Sequence, residues 1–183
     1  MKTMKHLFAC VAFLLCPLFW VETYGAVLTK DCSGQFVEQM SKAYDYFSRH
    51  DRMPDAIRVG GKEFNSGMML SAGYNLVRKM MAEPQTWMQS DIEYNDSYLC
   101  PDNERNNTLD IDEIALKDLI KLAENAHVFA QKNGVFPNYC TVDSGHKDPD
   151  GSEYPTQMII NAISISFARV FHHYANNGVL PEK

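Results

Sequence analysis

The chain predicts an α+β fold, mostly helical, made of two helix–β-hairpin–helix units in tandem followed by a partial third. Three observations carry that expectation. A proline-closed segment recurs: Tyr46 to Pro54, Phe129 to Pro137 and His173 to Pro181 each end a helical apolar pattern in a polar, Gly- or Asp-bearing turn, then one large apolar residue, then proline. After the first two prolines the chain continues alike, with Asp55-Ala56-Ile57-Arg58-Val59 matched by Asn138-Tyr139-Cys140-Thr141-Val142. A second helix then opens with Phe64 to Leu70 in one unit and Tyr154 to Ile160 in the other. Self-similarity of this kind marks modular proteins whose neighbouring units bury each other's apolar faces. It argues for a binding protein before an enzyme.

In chain order, Lys2 and Lys5 precede an apolar run from Leu7 to Val21, and Thr23-Tyr24-Gly25 offers a small–x–small cleavage site. Residues 1–25 therefore read as a signal peptide, with the mature chain expected from near Ala26. The run is short for a spanning helix of about 20 residues, so no stable transmembrane anchor is expected. The predicted location is secreted or extracytoplasmic, in association with the cell surface. The first unit, 26–83, opens with a helix from about Ser33 to Arg49, where Phe36, Met40, Ala43, Tyr44 and Phe47 recur at helical spacing. Pro54 stops it. Ala56 to Val59 alternates and meets Gly60-Gly61, a dipeptide suited to the positive φ of a tight hairpin. Lys62 to Phe64 is the return strand, and Ser66 is the expected N-cap of a helix to about Met81.

Residues 84–109 break the pattern. They are rich in Asp and Asn, hold Trp87, Tyr94 and Tyr98, and read as a polar surface insertion partly ordered by those rings. The second unit, 110–183 with its truncated third, opens at Asp110, whose spacing to Glu113 matches a capping box. Its first helix runs through Leu116, Leu119, Leu122, Ala126 and Phe129, and Asn133-Gly134 ends it in a left-handed cap. Tyr139 to Val142 is a strand, Asp143 to Ser152 a hairpin loop, and Thr156 the expected cap of a last helix reaching about Tyr174.

At 183 residues, 45% hydrophobic and 22% charged, the chain can bury a sizeable core. Without residues 1–25 it keeps 15 basic and 22 acidic side chains, a net charge of −7. With no cluster of Lys and Arg to neutralise phosphates, nucleic acid is excluded as a partner class. Cys32, Cys100 and Cys140 remain, and an oxidising compartment leads us to expect one disulfide and one free thiol, with the pairing open among all three.

The order helix, Asn133-Gly134-Val135-Phe136-Pro137-Asn138-Tyr139-Cys140-Thr141-Val142, hairpin, capped helix resembles the pseudomurein-binding repeat. Ala168 to Phe171 with Asn177-Gly178-Val179-Leu180-Pro181 is similar to it as well, and Asp51-Arg52-Met53-Pro54-Asp55 stands in for its turn in the first unit. The resemblance covers about two-thirds of the mature chain and omits residues 84–109. It implies binding to a cell-envelope glycan or peptidoglycan-like polymer, without naming the polymer. Such binding calls for aromatic platforms and planar polar groups, which the turns supply as Asn133, Asn138 and Tyr139, with His50, Asp55 and Arg58 at the related positions of the first unit.

Several other clusters compete with that reading. Asp102, Glu104, Asn106, Asp110 and Glu113 fall at calcium-loop spacing, although Asn107 stands where such loops carry glycine and Pro101 blocks an entering helix. A polar loop running into a capped helix accounts for the same residues. Cys140 with His146 is the sharpest enzyme candidate, a thiol-dependent hydrolase. Its place in the repeated strand, where the first unit has Ile57 or Arg58, points instead to packing. His172 and His173 are adjacent on a helix and cannot share a metal ion; one packed and one solvated ring is the expectation. The reading is thus a non-catalytic module for an envelope polymer. The alternatives are an envelope protein–protein interaction or scaffold module, and a small secreted hydrolase.

Overall fold

The computed structural model describes residues 27–100, 114–147 and 153–182; the expected signal peptide and the calcium-loop spacing at 102–113 lie outside them. The described elements are β1 (Val27–Thr29), α1 (Ser33–His50), β2 (Ala56–Val59), β3 (Lys62–Asn65), α2 (Ser66–Ala82), a 3-10 turn (Trp87–Gln89), β4 (Ile92–Tyr94), α3 (Leu116–Asn133), β5 (Tyr139–Lys147), β6 (Glu153–Ile159) and α4 (Ile160–Asn177). The fold is α+β and mostly helical. Three two-stranded antiparallel sheets pair β2 with β3, β5 with β6, and β1 with β4. The order helix, hairpin, helix runs twice, as α1-β2-β3-α2 and as α3-β5-β6-α4.

The three proline turns share one backbone conformation. α1, α3 and α4 end on Asp51, Gly134 and Gly178, all left-handed, with φ of 55°, 71° and 72°. Each cap N–H donates to the carbonyl four residues back at 2.8 Å, from Phe47, Ala130 and Tyr174. This is the simple left-handed helix cap, which satisfies an otherwise orphaned carbonyl and turns the chain aside. Two residues later Met53, Phe136 and Leu180 point back to the core, and proline follows. The residue after proline receives the start of a helix: the Asn138 carbonyl accepts from Ile160 N–H, and the Glu182 carbonyl from Leu116 N–H, both at 3.1 Å. The third turn is thereby occupied by the beginning of α3.

Helix starts differ from the sequence expectation. α2 is capped by Asn65, whose Oδ1 accepts from Met68 N–H at 3.0 Å, one residue before Ser66. α3 begins on Ala115, whose methyl group cannot cap; the Asp110–Glu113 box precedes the described residues. α4 begins at Ile160, not after Thr156. Thr156 is buried in β6 opposite Val142, because Thr156, Met158 and Ile160 alternate inward and carry the strand on to Ile159. The hairpin is correspondingly longer, with β5 reaching Lys147 past an irregularity between Val142 and His146. The Gly60-Gly61 turn is as expected, both residues at positive φ.

Residues 84–100 are exposed at more than half of their positions and anchored at the others. Trp87, Ile92, Tyr94 and Tyr98 are all buried, and β4 pairs with β1 in the register Val27↔Tyr94, Leu28↔Glu93, Thr29↔Ile92. Their aromatic and β-branched side chains outweigh the polar composition around them. The core is one continuous cluster drawn from both units. α1 lies on α4 and α2 reaches both α3 and α4. A run of rings, Phe171–Phe36–Phe64–Tyr94, passes through it at centroid separations of 5.6, 5.8 and 4.6 Å. α2 lies close to Phe167 and Phe171 at Gly73, where an added methyl group would make ordinary contacts. Burying each such side chain contributes about 1.5–3 kcal/mol. Cys32, Cys100 and Cys140 are all free thiols, so the expected disulfide is not formed.

Candidate binding surface on the helix-end turns

The reversal at 134–138 lays β5 along α3 in the opposite direction. Asn125 Nδ2 donates to the Thr141 carbonyl at 3.0 Å and fixes the alignment. Phe129 stands one helical turn beyond Asn125, about 5.4 Å along the helix. Tyr139 stands two residues before Thr141, about 6.7 Å along the strand in the same direction. Phe129 and Tyr139 thus stand on the same side of that bond, on the helix and the strand respectively, 42% and 55% exposed. Asn133, one turn further on α3, is exposed and donates from Nδ2 to the Phe129 carbonyl at 2.8 Å. Asn138 is exposed immediately before Tyr139, its carbonyl held by Ile160. The sequence-predicted Asn133, Asn138 and Tyr139 are all exposed, at the end of α3 and the start of β5.

His50, Asp55 and Arg58 form the related group on the first turn, and all three are exposed. His50 stacks on Tyr46, one helical turn back, at 4.2 Å between centroids, and Arg52 Nη2 donates to the Tyr46 hydroxyl at 3.2 Å. Arg58 faces Glu63 across the β2–β3 hairpin at 3.7 Å; both ends are well exposed, so the pair contributes little. The two surfaces are related but not equal. Ala56 occupies the place of Tyr139, so the first turn carries its aromatic area on Tyr46 and His50 alone. In the third turn His173 takes the place of Tyr46, and Asn177 Nδ2 donates to the His173 carbonyl at 2.8 Å, as Asn133 does to Phe129.

Sequence reasoning missed Phe129 and Asn125 as surface residues. Phe129 satisfied the apolar period, yet Ala123, Ala126 and Ala130 are the inward stripe, and their small size lets α3 lie close to its neighbours. That alanine spacing was the available signal. His127 was missed altogether. It is held among Tyr74 (4.6 Å), Phe136 (5.4 Å) and Tyr98 (6.4 Å). Its Nδ1 donates to the Ala123 carbonyl at 2.9 Å and its Nε2 meets Ser71 Oγ at 3.3 Å, while Ser71 Oγ also accepts from Asn95 N–H. Burial holds its pKa below the ordinary histidine value, the Ala123 bond opposes that and Arg78 assists it. Ser71 is 1% exposed, so this Ser–His contact is a satisfied internal link between α2 and α3.

Cys140 is buried on β5, and burial pushes its thiol up to about 11. A nucleophilic cysteine needs the opposite shift. His172 and His173 are both half-buried, so the expected division into one packed and one solvated ring does not hold. His172 lies against Tyr44 and within reach of Ser41 and Asp45 of α1. Among the described residues no cluster of three or more His, Cys, Asp or Glu could hold a metal ion, and no helix is long and apolar enough to cross a membrane. No protein-family model, curated protein or solved structure matches the chain.

Proposed function

We propose that the protein is an exported, non-catalytic module that binds a cell-envelope glycan or peptidoglycan-like polymer through its helix-end turns. The observation that carries this reading is the exposure of Phe129 and Tyr139 on the two arms of one turn, with Asn125, Asn133 and Asn138 exposed along the same stretch. Flat aromatic faces take the apolar C–H face of a sugar, and adjacent amides both donate to and accept from its hydroxyls. A second aromatic–polar group, Tyr46 with His50, recurs at the related turn. Two such contacts on one chain favour a repetitive ligand, because the second engagement is intramolecular and gains from effective concentration. The resemblance to pseudomurein-binding repeats falls on the same turns.

The test is retention of residues 26–183 on insoluble sacculi from bacteria and methanogens. Tyr139→Ala and Phe129→Ala are expected to weaken retention roughly ten-fold each, the scale of one lost aromatic contact, with unchanged melting temperature because both rings are exposed. Absence of retention on every wall preparation defeats the polymer reading. The partner would then be sought among envelope proteins.

A further inference from the structure

A second recessed surface lies away from the turns, between α2 and β4. It is a groove of about 480 Å³ lined by Asn75, Leu76, Arg78, Lys79, Ala82, Asp91, Ile92 and Glu93. Leu76 and Ile92 are buried and form its floor. Asn75 Nδ2 donates to the Glu93 carbonyl at 3.0 Å and ties the two walls together. Charge is segregated across it: the α2 wall carries Arg78 and Lys79, the β4 wall Asp91 and Glu93.

These charges do not neutralise one another. Among the described residues neither Lys79 nor Glu93 makes an ion pair or a side-chain hydrogen bond. Arg78 is oriented by its own helix, with Nη1 donating to the Tyr74 hydroxyl at 3.1 Å and the guanidinium 5.3 Å above that ring. Asp91 Oδ1 accepts only a long bond from Asp31 N–H, 3.3 Å. A simple anion entering here is attracted by one wall and repelled by the other, as is a simple cation. A molecule with separated opposite charges meets both walls favourably, and an apolar middle meets the floor.

We infer that this groove binds a short peptide segment bearing a free carboxylate and a free ammonium group, the carboxylate toward Arg78 and Lys79 and the ammonium toward Asp91 and Glu93. The volume lies in the range of ligand pockets, about 300–1,000 Å³, and holds a few residues rather than one amino acid. This inference goes beyond the polymer reading and does not rest on it.

Trialanine with both termini free is the probe, titrated into the isotope-labelled mature chain and followed by amide chemical shifts. Saturable shifts confined to residues 75–82 and 91–93 are expected, with a dissociation constant on the order of a millimolar, as suits screened surface charges. N-acetylation or C-amidation of the probe should each weaken binding roughly three- to ten-fold, as should Lys79→Ala or Glu93→Ala. Both side chains reach solvent, so the variants fold; Tyr139→Ala leaves the affinity unchanged. Absence of saturable shifts, shifts centred elsewhere, or equal binding of the blocked peptides would overturn the assignment. Wall retention and trialanine binding are separate readouts, so failure of one leaves the other standing.

Discussion

Individual residues carry constraints that composition does not reveal. Gly67, in the first turn of α2, sits against the Tyr98 carbonyl, where a methyl group would meet backbone rather than a yielding side chain. Gly67→Ala is expected to cost about 2 kcal/mol in chemical denaturation, the usual scale of a forced overlap in a packed site. His127 makes stability pH-dependent. Its folded pKa lies below the unfolded value of about 6.5, so the unfolded chain binds the proton more readily. Its contribution is complete above pH 6.5 and is lost as pH falls below it, at up to about 1.4 kcal/mol per pH unit until the folded value is passed. Denaturation midpoints of wild type and His127→Gln between pH 7.5 and 5 should differ in slope with that sign. Parallel slopes would show that the ring titrates as though unfolded. None of this was legible from a lone histidine in an amphipathic helix, because its partners Ser71 and Tyr98 are distant in sequence.

The three left-handed caps are the feature the sequence announced most clearly at the level of secondary elements. Asn133-Gly134 and Asn177-Gly178 declare themselves by glycine, and Asp51 was legible only by its register with them. The contrast sets up opposite outcomes. At Gly134 an added Cβ meets nothing within 4 Å, so Gly134→Ala should cost only the conformational penalty, about 1 kcal/mol. Asp51 already bears that penalty at φ 55°, and Asp51→Gly should gain about 0.5–1 kcal/mol. Thermal melts of the two variants moving in opposite directions check the pair; movement in the same direction contradicts it. Helix starts were less legible than helix ends. Side-chain caps are local, but α3 and α4 begin without one. Their first N–H groups bond to the carbonyls of Glu182 and Asn138, residues 66 and 22 positions away. No window of sequence around Leu116 or Ile160 contains that information.

Across the whole molecule the two units share a single core, with α1 covered by α4 and the side chains of Trp87, Ile92, Tyr94 and Tyr98 packed inside. Alternation of apolar and polar residues revealed the hairpins and helical spacing the helices. Partnership between helices was not written in either, since any apolar face suits any other. In segment 84–100 the anchoring rings were legible, but the pairing of β4 with β1 was not, because its partner strand lies more than 60 residues away. Phe171 meets Phe36 and lies close to α2 at Gly73, so Phe171→Ala should cost about 3–5 kcal/mol. Unfolding should remain one transition by both circular dichroism and tryptophan fluorescence, with Trp87 seated against Tyr174 as reporter. Separate transitions for the two probes would show that the units unfold independently.

The pairing of α1 with α4 also has a kinetic meaning. α1 stays without α4, and Phe36 without Phe171, until the last described helix has been made, more than 120 residues after α1 began. Loop closure over such a span must precede the contacts that reward it, which slows folding relative to a bundle of sequential neighbours. A ribosome-bound chain halted before Ile160 should therefore remain protease-sensitive throughout α1, and acquire resistance only when α4 has emerged. The first of the described helices to be synthesised is among the last to be secured.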